Sequence, residues 1–286
     1  MADNKRIEIL IRNMGELPTI PSVFSVVNKM LSDPHTSAID VGQVVSNDQV
    51  IASKILKLAN SAFYGFAGRV NTVPHAIAVL GFNATKNVVL TTGILSTLNL
   101  KTPIEGFNLT AFWKHSAAVG AIARLAAEEF YAQRKEEAFV AGLLHDIGKL
   151  ILAICSPEDF ARCINLATST GCLFLDAEKE TLGICHTDIV ALVNRRWNLP
   201  REIAAVMINH HKNISVLSEH TRMVAIVKLA DVLARGLQFG NPCDYSMPIL
   251  EAGVASLLKV TPKKLDTILA ASYGALQSSI DFMNAS

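Results

Sequence analysis

Five histidines and two aspartates between positions 115 and 231 sit within apolar stretches. His115 lies in Phe112-Trp-Lys-His115-Ser-Ala-Ala-Val119, and His145 and Asp146 lie in Ala141-Gly-Leu-Leu-His145-Asp146-Ile-Gly148-Lys149-Leu150. His186 opens Cys185-His186-Thr-Asp-Ile-Val190, His210-His211 follow Val206-Met-Ile-Asn209, and Asp231 follows Ala225-Ile-Val-Lys-Leu-Ala230. An imidazole or carboxylate withdrawn from water needs a partner. Taken singly, each has a plain structural explanation, a hydrogen bond to a neighbouring helix. Taken together they call for cations, because several uncompensated carboxylates in one interior are too costly. Imidazole and carboxylate donors without thiolate suit Fe, Mn, Zn, Co or Ni better than Cu(I) or a structural cysteine–zinc site.

Positioning these donors falls to helices, because the apolar periodicity is helical nearly throughout. Val23, Val26, Val27, Met30 and Leu31 form one face of a first helix, which ends at Ser32-Asp33-Pro34 because proline cannot continue it. Similar segments follow over 39–45 and 50–58, and Thr72-Val73-Pro74 reads as a cap with proline at the helix start. The second half predicts helices over 111–130, 136–154, 157–170, 175–196, 200–211, 220–236, 247–257 and from 262 onward. Alternating apolar and polar runs bounded by hairpin turns are missing, so the expected fold class is all-α. A composition shift over Asn99–Phe107 divides the chain into an N-terminal helical bundle, 1–105, and a ligand-rich subdomain with the C-terminal helices, 106–286.

Composition narrows the function classes. Half of the 286 residues are hydrophobic and 18% are charged, enough apolar surface for a large core. The net charge of +1 lacks the electrostatic footprint of a nonspecific nucleic-acid or anionic-membrane binder, so no direct DNA binding and no membrane partner is expected. The longest apolar runs, Ala138–Leu144 and Leu150–Cys155, fall short of the ~20 residues that span a bilayer. The polar start MADNKRIEIL has no apolar signal core, and the five cysteines form no C-x-x-C pair. A cytoplasmic protein with reduced thiols is expected.

The succession His115…His145-Asp146…Asp231, in a helical setting and followed by Gly148-Lys149, resembles the H…HD…D pattern of the HD superfamily of metal-dependent phosphohydrolases. His186 and the pair His210-His211 are similar to the extra ligands of HD-GYP phosphodiesterases. The stretch from His186 to Trp197 and Pro200 matches that family's run. In the first half, Leu17-Pro18-Thr-Ile-Pro21, Leu56-Lys-Leu-Ala-Asn60-Ser61-Ala-Phe-Tyr64-Gly65 and Ala76-Ile-Ala-Val-Leu80-Gly81 resemble the HDOD domain, the HD-related output domain. The resemblance covers roughly Gly15 to Gly236.

This resemblance implies two divalent transition-metal ions, Fe or Mn first and Zn, Ni or Co as alternatives. His115, His145, Asp146 and Asp231 would hold one ion. Asp146 would bridge to a second held by His186, His210 and His211. Such a pair polarises a phosphoryl oxygen and lowers the pKa of water held between the ions. Lys149, one turn after His145, would pair with a phosphate as a point charge, the competing reading being a solvated surface lysine. Arg195 and Arg196 read as an exposed helix face. Many HDOD domains have lost ligand residues and act as non-catalytic regulatory modules in bacterial signalling, whereas this chain keeps all seven. The Gly-Tyr-Pro segment of HD-GYP enzymes is absent, since Lys212-Asn213 follow His210-His211. Ala111 stands where some HD-GYP proteins place a further Glu ligand. A phosphorylated small molecule or nucleotide is the implied class of ligand, with the missing segment weakening the case for cyclic di-GMP, and protein signalling partners are expected. No receiver, kinase or DNA-binding motif is present. The alternative is a non-enzymatic module whose metal is structural or redox-sensing.

Overall fold

The computed structural model describes residues 22–31, 33–60, 69–98, 102–197, 199–217 and 219–283, with the single residues 12 and 100. The motif stretches Leu17–Pro21 and Ser61–Gly65 lie outside the described residues. Every regular element among the described residues is helical and none is a strand. The chain divides into two compact units, one over 98–273 and the other over 22–97 with the chain from Gly274.

The second of these units contains α1 (Ser22–Met30), α2 (Ala38–Ser46), α3 (Gln49–Ala59) and α4 (Val73–Thr97). Polar side chains start two of them. Ser37 and Asp40 form a reciprocal capping box at α2, and Asp48 accepts from the backbone of Val50 and Ile51 at α3. Val27, Val41, Val45, Ile55 and Ile77 are fully buried in this unit. Asn60 of the Leu-Ala-Asn-Ser stretch has a structural task. Its amide donates to the Val70 carbonyl at 2.8 Å and accepts from the Val70 N–H at 2.9 Å, tying the end of α3 to the approach of α4.

The larger unit carries the ligand-type residues. It comprises α5 (Leu109–Phe130), α6 (Lys135–Leu144), α7 (Ile147–Cys155), α8 (Pro157–Thr170), α9 (Phe174–Leu182), α10 (His186–Trp197), α11 (Arg201–Asn209), α12 (Thr221–Gly236), α13 (Ala252–Leu258) and the first half of α14 (Pro262–Met283). The central helix is α6, which packs on α5, α11 and α12. Its approach to α5 is backbone to backbone. A Cβ on Gly142 would sit 2.8 Å from the Val119 carbonyl and 2.9 Å from the Gly120 Cα, so glycine at both places lets the two helices touch.

Three predicted helices differ from those observed. The segment 136–154 is two helices, α6 and α7, separated at His145-Asp146. The segment 175–196 is also two, because Gly183 adopts the left-handed conformation and ends α9. In 247–257 the helix begins only at Ala252; residues 247–251 are irregular. Among the described residues, two helical stretches have the length and hydropathy to cross a bilayer, Val73–Thr97 and Ala132–Cys155. They are 61% and 89% buried within the protein, as core helices are.

Candidate metal centre

Most of the seven donors stand at helix ends. His145 follows the last residue of α6, and Asp146 occupies the turn before α7. His186 begins α10, while His210 and His211 follow α11. Only His115 in α5 and Asp231 in α12 are mid-helical. The break at His145-Asp146 therefore does the positioning that an unbroken helix could not. It turns two adjacent side chains toward one interior point. Gly148 makes this possible from the other side, since any Cβ there would collide with the carbonyl of His186.

Asp146 is fully buried and stands between two groups of donors. Its Oδ2 lies 3.3 Å from His145 Nε2. Its Oδ1 lies 3.3 Å from both His186 Nε2 and His210 Nε2. His186 Nε2 is 3.2 Å from His211 Nε2 and 3.4 Å from His210 Nε2. On the far side, Asp231 Oδ1 lies 3.1 Å from His115 Nε2 and 3.9 Å from His145 Nε2. The donors thus form two overlapping sets, Asp146 with His186, His210 and His211, and Asp146 with His115 and His145.

The tautomers follow from the outer contacts. His145 Nδ1 donates to the Gly142 carbonyl at 2.7 Å, and His210 Nδ1 to the Val206 carbonyl at 3.1 Å. His186 Nδ1 donates to Glu178 at 2.6 Å. His210, held neutral, then presents a lone pair at Nε2, and His186 does so once it gives up its Nε2 proton. The facing Nε2 atoms of His186, His210 and His211, 3.2–3.4 Å apart, need either a shared proton or a metal cation between them. Ligand atoms about 2.1 Å from one ion, at octahedral to tetrahedral angles, lie roughly 3.0–3.4 Å apart. The spacings around Asp146, and that of His115 to Asp231, fall in this range, while His145 and Asp231 stand wider at 3.9 Å.

The buried atoms without hydrogen-bond partners agree. They include both ring nitrogens of His115, His145 Nε2 and Asp146 Oδ1. The 3.1 Å approach of His115 to Asp231 is close, but it is misaligned for a hydrogen bond. Donors that aim at a common point rather than at each other suit a metal, so the residues present fit one.

Electrostatics point the same way. Burial raises the carboxyl pKa of Asp146, but His145 and Lys149 outweigh it and hold the group well below the usual range. Burial is likewise overcome at Asp231, chiefly by Arg235 and His115. His186 is pushed up to about 9: burial opposes this, and the Glu178 and Asp146 carboxylates prevail. The carboxylates thus favour positive charge on that ring. Burial pulls His210 down to about 4 and His211 well below the ordinary imidazole value, leaving both neutral.

Lys149 is neither at the surface nor free for a phosphate. It is fully buried, and its ammonium donates to Asp146 at 2.8 Å, the Pro242 carbonyl at 2.9 Å and Asp244 at 3.0 Å. All three donors are spent on protein acceptors, and the residue orients Asp146 instead. Arg195 and Arg196 are exposed, as their helix face suggests.

Three supporting residues escape a sequence reading. Glu178 orients His186 through its side chain and also accepts the His186 backbone N–H at 3.1 Å. Arg235 donates to Asp231 at 2.8 Å. Asp244 lies 2.6 Å from Arg235 and caps the Phe174 N–H at 2.6 Å. The first falls among the acidic residues of an ordinary amphipathic helix and the last in a polar loop, so neither carries a local signal.

A cavity of about 200 Å³ opens onto the cluster. His145, His210, His211 and Asp231 reach its wall, with Lys228, Arg235 and the segment from Pro248 to Glu251. A larger groove of about 570 Å³ runs past Arg201, Lys212 and His220 and contains none of the seven donors.

A buried His/Asp cluster in an all-helical fold defines a protein of the HD type. The chain belongs to the HDOD domain family, whose model matches residues 17–213. A crystal structure of an HDOD domain protein of unknown function from Geobacter sulfurreducens is similar at 26% identity, covering 97% of this chain and 89% of that one, with a TM-score of 0.73. A Shewanella amazonensis protein, provisionally assigned as a phosphohydrolase, shares the fold at 23% identity, with coverage of 96% and 97% and a TM-score of 0.72. An uncharacterised protein of Treponema pallidum is 24% identical over 80% of this chain. This chain spans 44% of that relative's length.

Proposed function

We propose that this HDOD protein is a signal-transduction component built on a binuclear metal centre with phosphoric-ester hydrolase chemistry. One observation carries the reading: the ring nitrogens of His186, His210 and His211 and the Asp146 carboxylate converge at 3.2–3.4 Å, and His210 and His211 reach the wall of a cavity. In this assignment His115, His145, Asp146 and Asp231 hold one ion and Asp146, His186, His210 and His211 the other. Bound ions would polarise a phosphoryl oxygen and acidify water. The fold shared with the Shewanella protein, provisionally a phosphohydrolase, is in keeping with this chemistry.

The chain's own residues prepare the site. Glu178 fixes the His186 tautomer, and Lys149 and Arg235 keep Asp146 and Asp231 ionised at neutral pH. The apolar helices around them exclude water and strengthen each charge interaction. Hydrolysis would break the phosphorus–oxygen ester bond and form a new one to water's oxygen. One proton from water passes to the leaving alcohol.

A non-catalytic centre, structural or redox-sensing, is the second reading. It is favoured by the complete burial of His115, His145, Asp146 and His186. The cavity favours catalysis, because a catalytic site keeps an open position and a structural one is closed. The deciding assay compares metal-loaded protein, metal-free protein and His210→Ala on p-nitrophenyl phosphate and its bis ester. Turnover that needs both metal and His210 is expected. A fully loaded protein inert toward both esters would leave the non-catalytic reading.

A further inference from the structure

The cavity wall carries two cations, Lys228 and Arg235. Arg235 is committed, donating to Asp231 and lying 2.6 Å from Asp244. Lys149 beneath the cluster is committed as well. Lys228 differs. It pairs with Glu251, which also lines the cavity, and donates to the Lys212 carbonyl at 2.7 Å. Neither partner belongs to the metal-ligand set.

We propose that Lys228 is the specificity-determining cation of this site, binding the terminal phosphate of a small phosphomonoester, with Glu251 holding its place until the anion arrives. The inference rests on the metal-centre reading and deepens it. A phosphate dianion beside the ions leaves oxygens that need a donor from the protein, and a lysine ammonium serves as a mobile point charge. The Glu251 carboxylate is a weaker competitor for the same ammonium, because a phosphate brings more charge and more acceptor oxygens. Release of Lys228 does not orphan Glu251, whose second oxygen accepts the Ile214 N–H at 3.0 Å and whose side chain is 26% exposed. The exchange is therefore cheap.

Size supports the monoester. Ligand pockets for drug-sized molecules run about 300–1,000 Å³. At about 200 Å³ the cavity takes a phosphate with a small organic group.

The test is calorimetric titration of inorganic phosphate into the full-length, manganese-loaded chain, with metal content measured on each sample. Lys228→Gln is expected to weaken phosphate binding roughly tenfold at unchanged metal content, and Lys228→Arg to retain most of it. Glu251→Gln is expected to tighten binding by about threefold, since the competitor loses its charge while an acceptor for Ile214 remains. Thermal melts confirm that each variant is folded. Equal phosphate affinity in Lys228→Gln and wild type, or no phosphate binding by a loaded wild type, overturns the role of Lys228 and leaves the metal centre standing. A wild type that takes up no manganese overturns the underlying reading, and this role with it.

Discussion

At the residue scale, Glu178 and Lys149 show how a buried donor set is kept in order. Glu178 is wholly buried, and its nearest chemistry is His186. Replacing it with Gln leaves a side chain of the same shape that cannot hold the Nδ1 proton as firmly. Second-contact partners of metal-bound histidines change affinity by about 10- to 100-fold. Glu178→Gln is therefore expected to weaken metal binding by that factor in a chelator competition. An unchanged affinity would mean that Glu178 only packs. Lys149→Met poses a different question. It leaves Asp146 and Asp244 without their shared cation in a dry interior, a loss of about 3–5 kcal/mol for a broken buried pair. Urea unfolding measures this directly. A surface lysine would give a change within about 0.5 kcal/mol.

The donors themselves were legible in the sequence because titratable residues inside apolar runs are conspicuous. Their supporters were not. Asp176, Glu178, Lys179 and Glu180 look alike as letters, and only the packing of α9 turns Glu178 inward. Lys149 misleads for the opposite reason. A lysine after an apolar turn suggests solvent, yet Asp146, Pro242 and Asp244 surround it, two of them more than ninety positions away.

At the element scale, the break between α6 and α7 is the device that makes the site. Sequence periodicity runs straight through it, because Leu143, Leu144, Ile147 and Leu150 are all core residues whether or not the helix is continuous. No proline or glycine marks His145-Asp146. The hint lies two residues further, at Gly148, whose reason is the backbone of His186 crossing it. Gly148→Ala forces these two segments apart. Overpacking of this kind costs about 1–3 kcal/mol, and here it also moves a metal donor. The expected result is a lower melting temperature together with loss of metal from the His186 side. A variant that melts earlier yet holds its full metal complement would separate the packing of α7 from the site. Gly183 shows the complementary case. It is visible in the sequence as an isolated glycine, and the structure uses it as the left-handed end of α9.

At the scale of the whole molecule, the all-α class was readable throughout, since helical periodicity needs only local pattern. The HDOD resemblance was equally readable, from short stretches in both halves. The assembly of seven donors from five separate segments was not derivable from spacing. It depends on which helices α6 touches, and close contacts such as Gly120 with Gly142 decide that. Metal bound across so many elements couples to folding, because the unfolded chain has no such site. Removing it with a chelator should lower the unfolding midpoint, by an amount that grows with metal concentration over the dissociation constant. Identical melts with and without metal would mean that the ions, if bound, contribute nothing to the fold.

The most direct measurement of the central claim is transition-metal content per chain by elemental analysis. The protein is purified without chelators or an affinity metal column, beside a His145→Ala/Asp146→Ala variant. A two-metal centre predicts about two ions per chain in the wild type and their loss in the variant. No metal in either sample, even after anaerobic reconstitution, would contradict it.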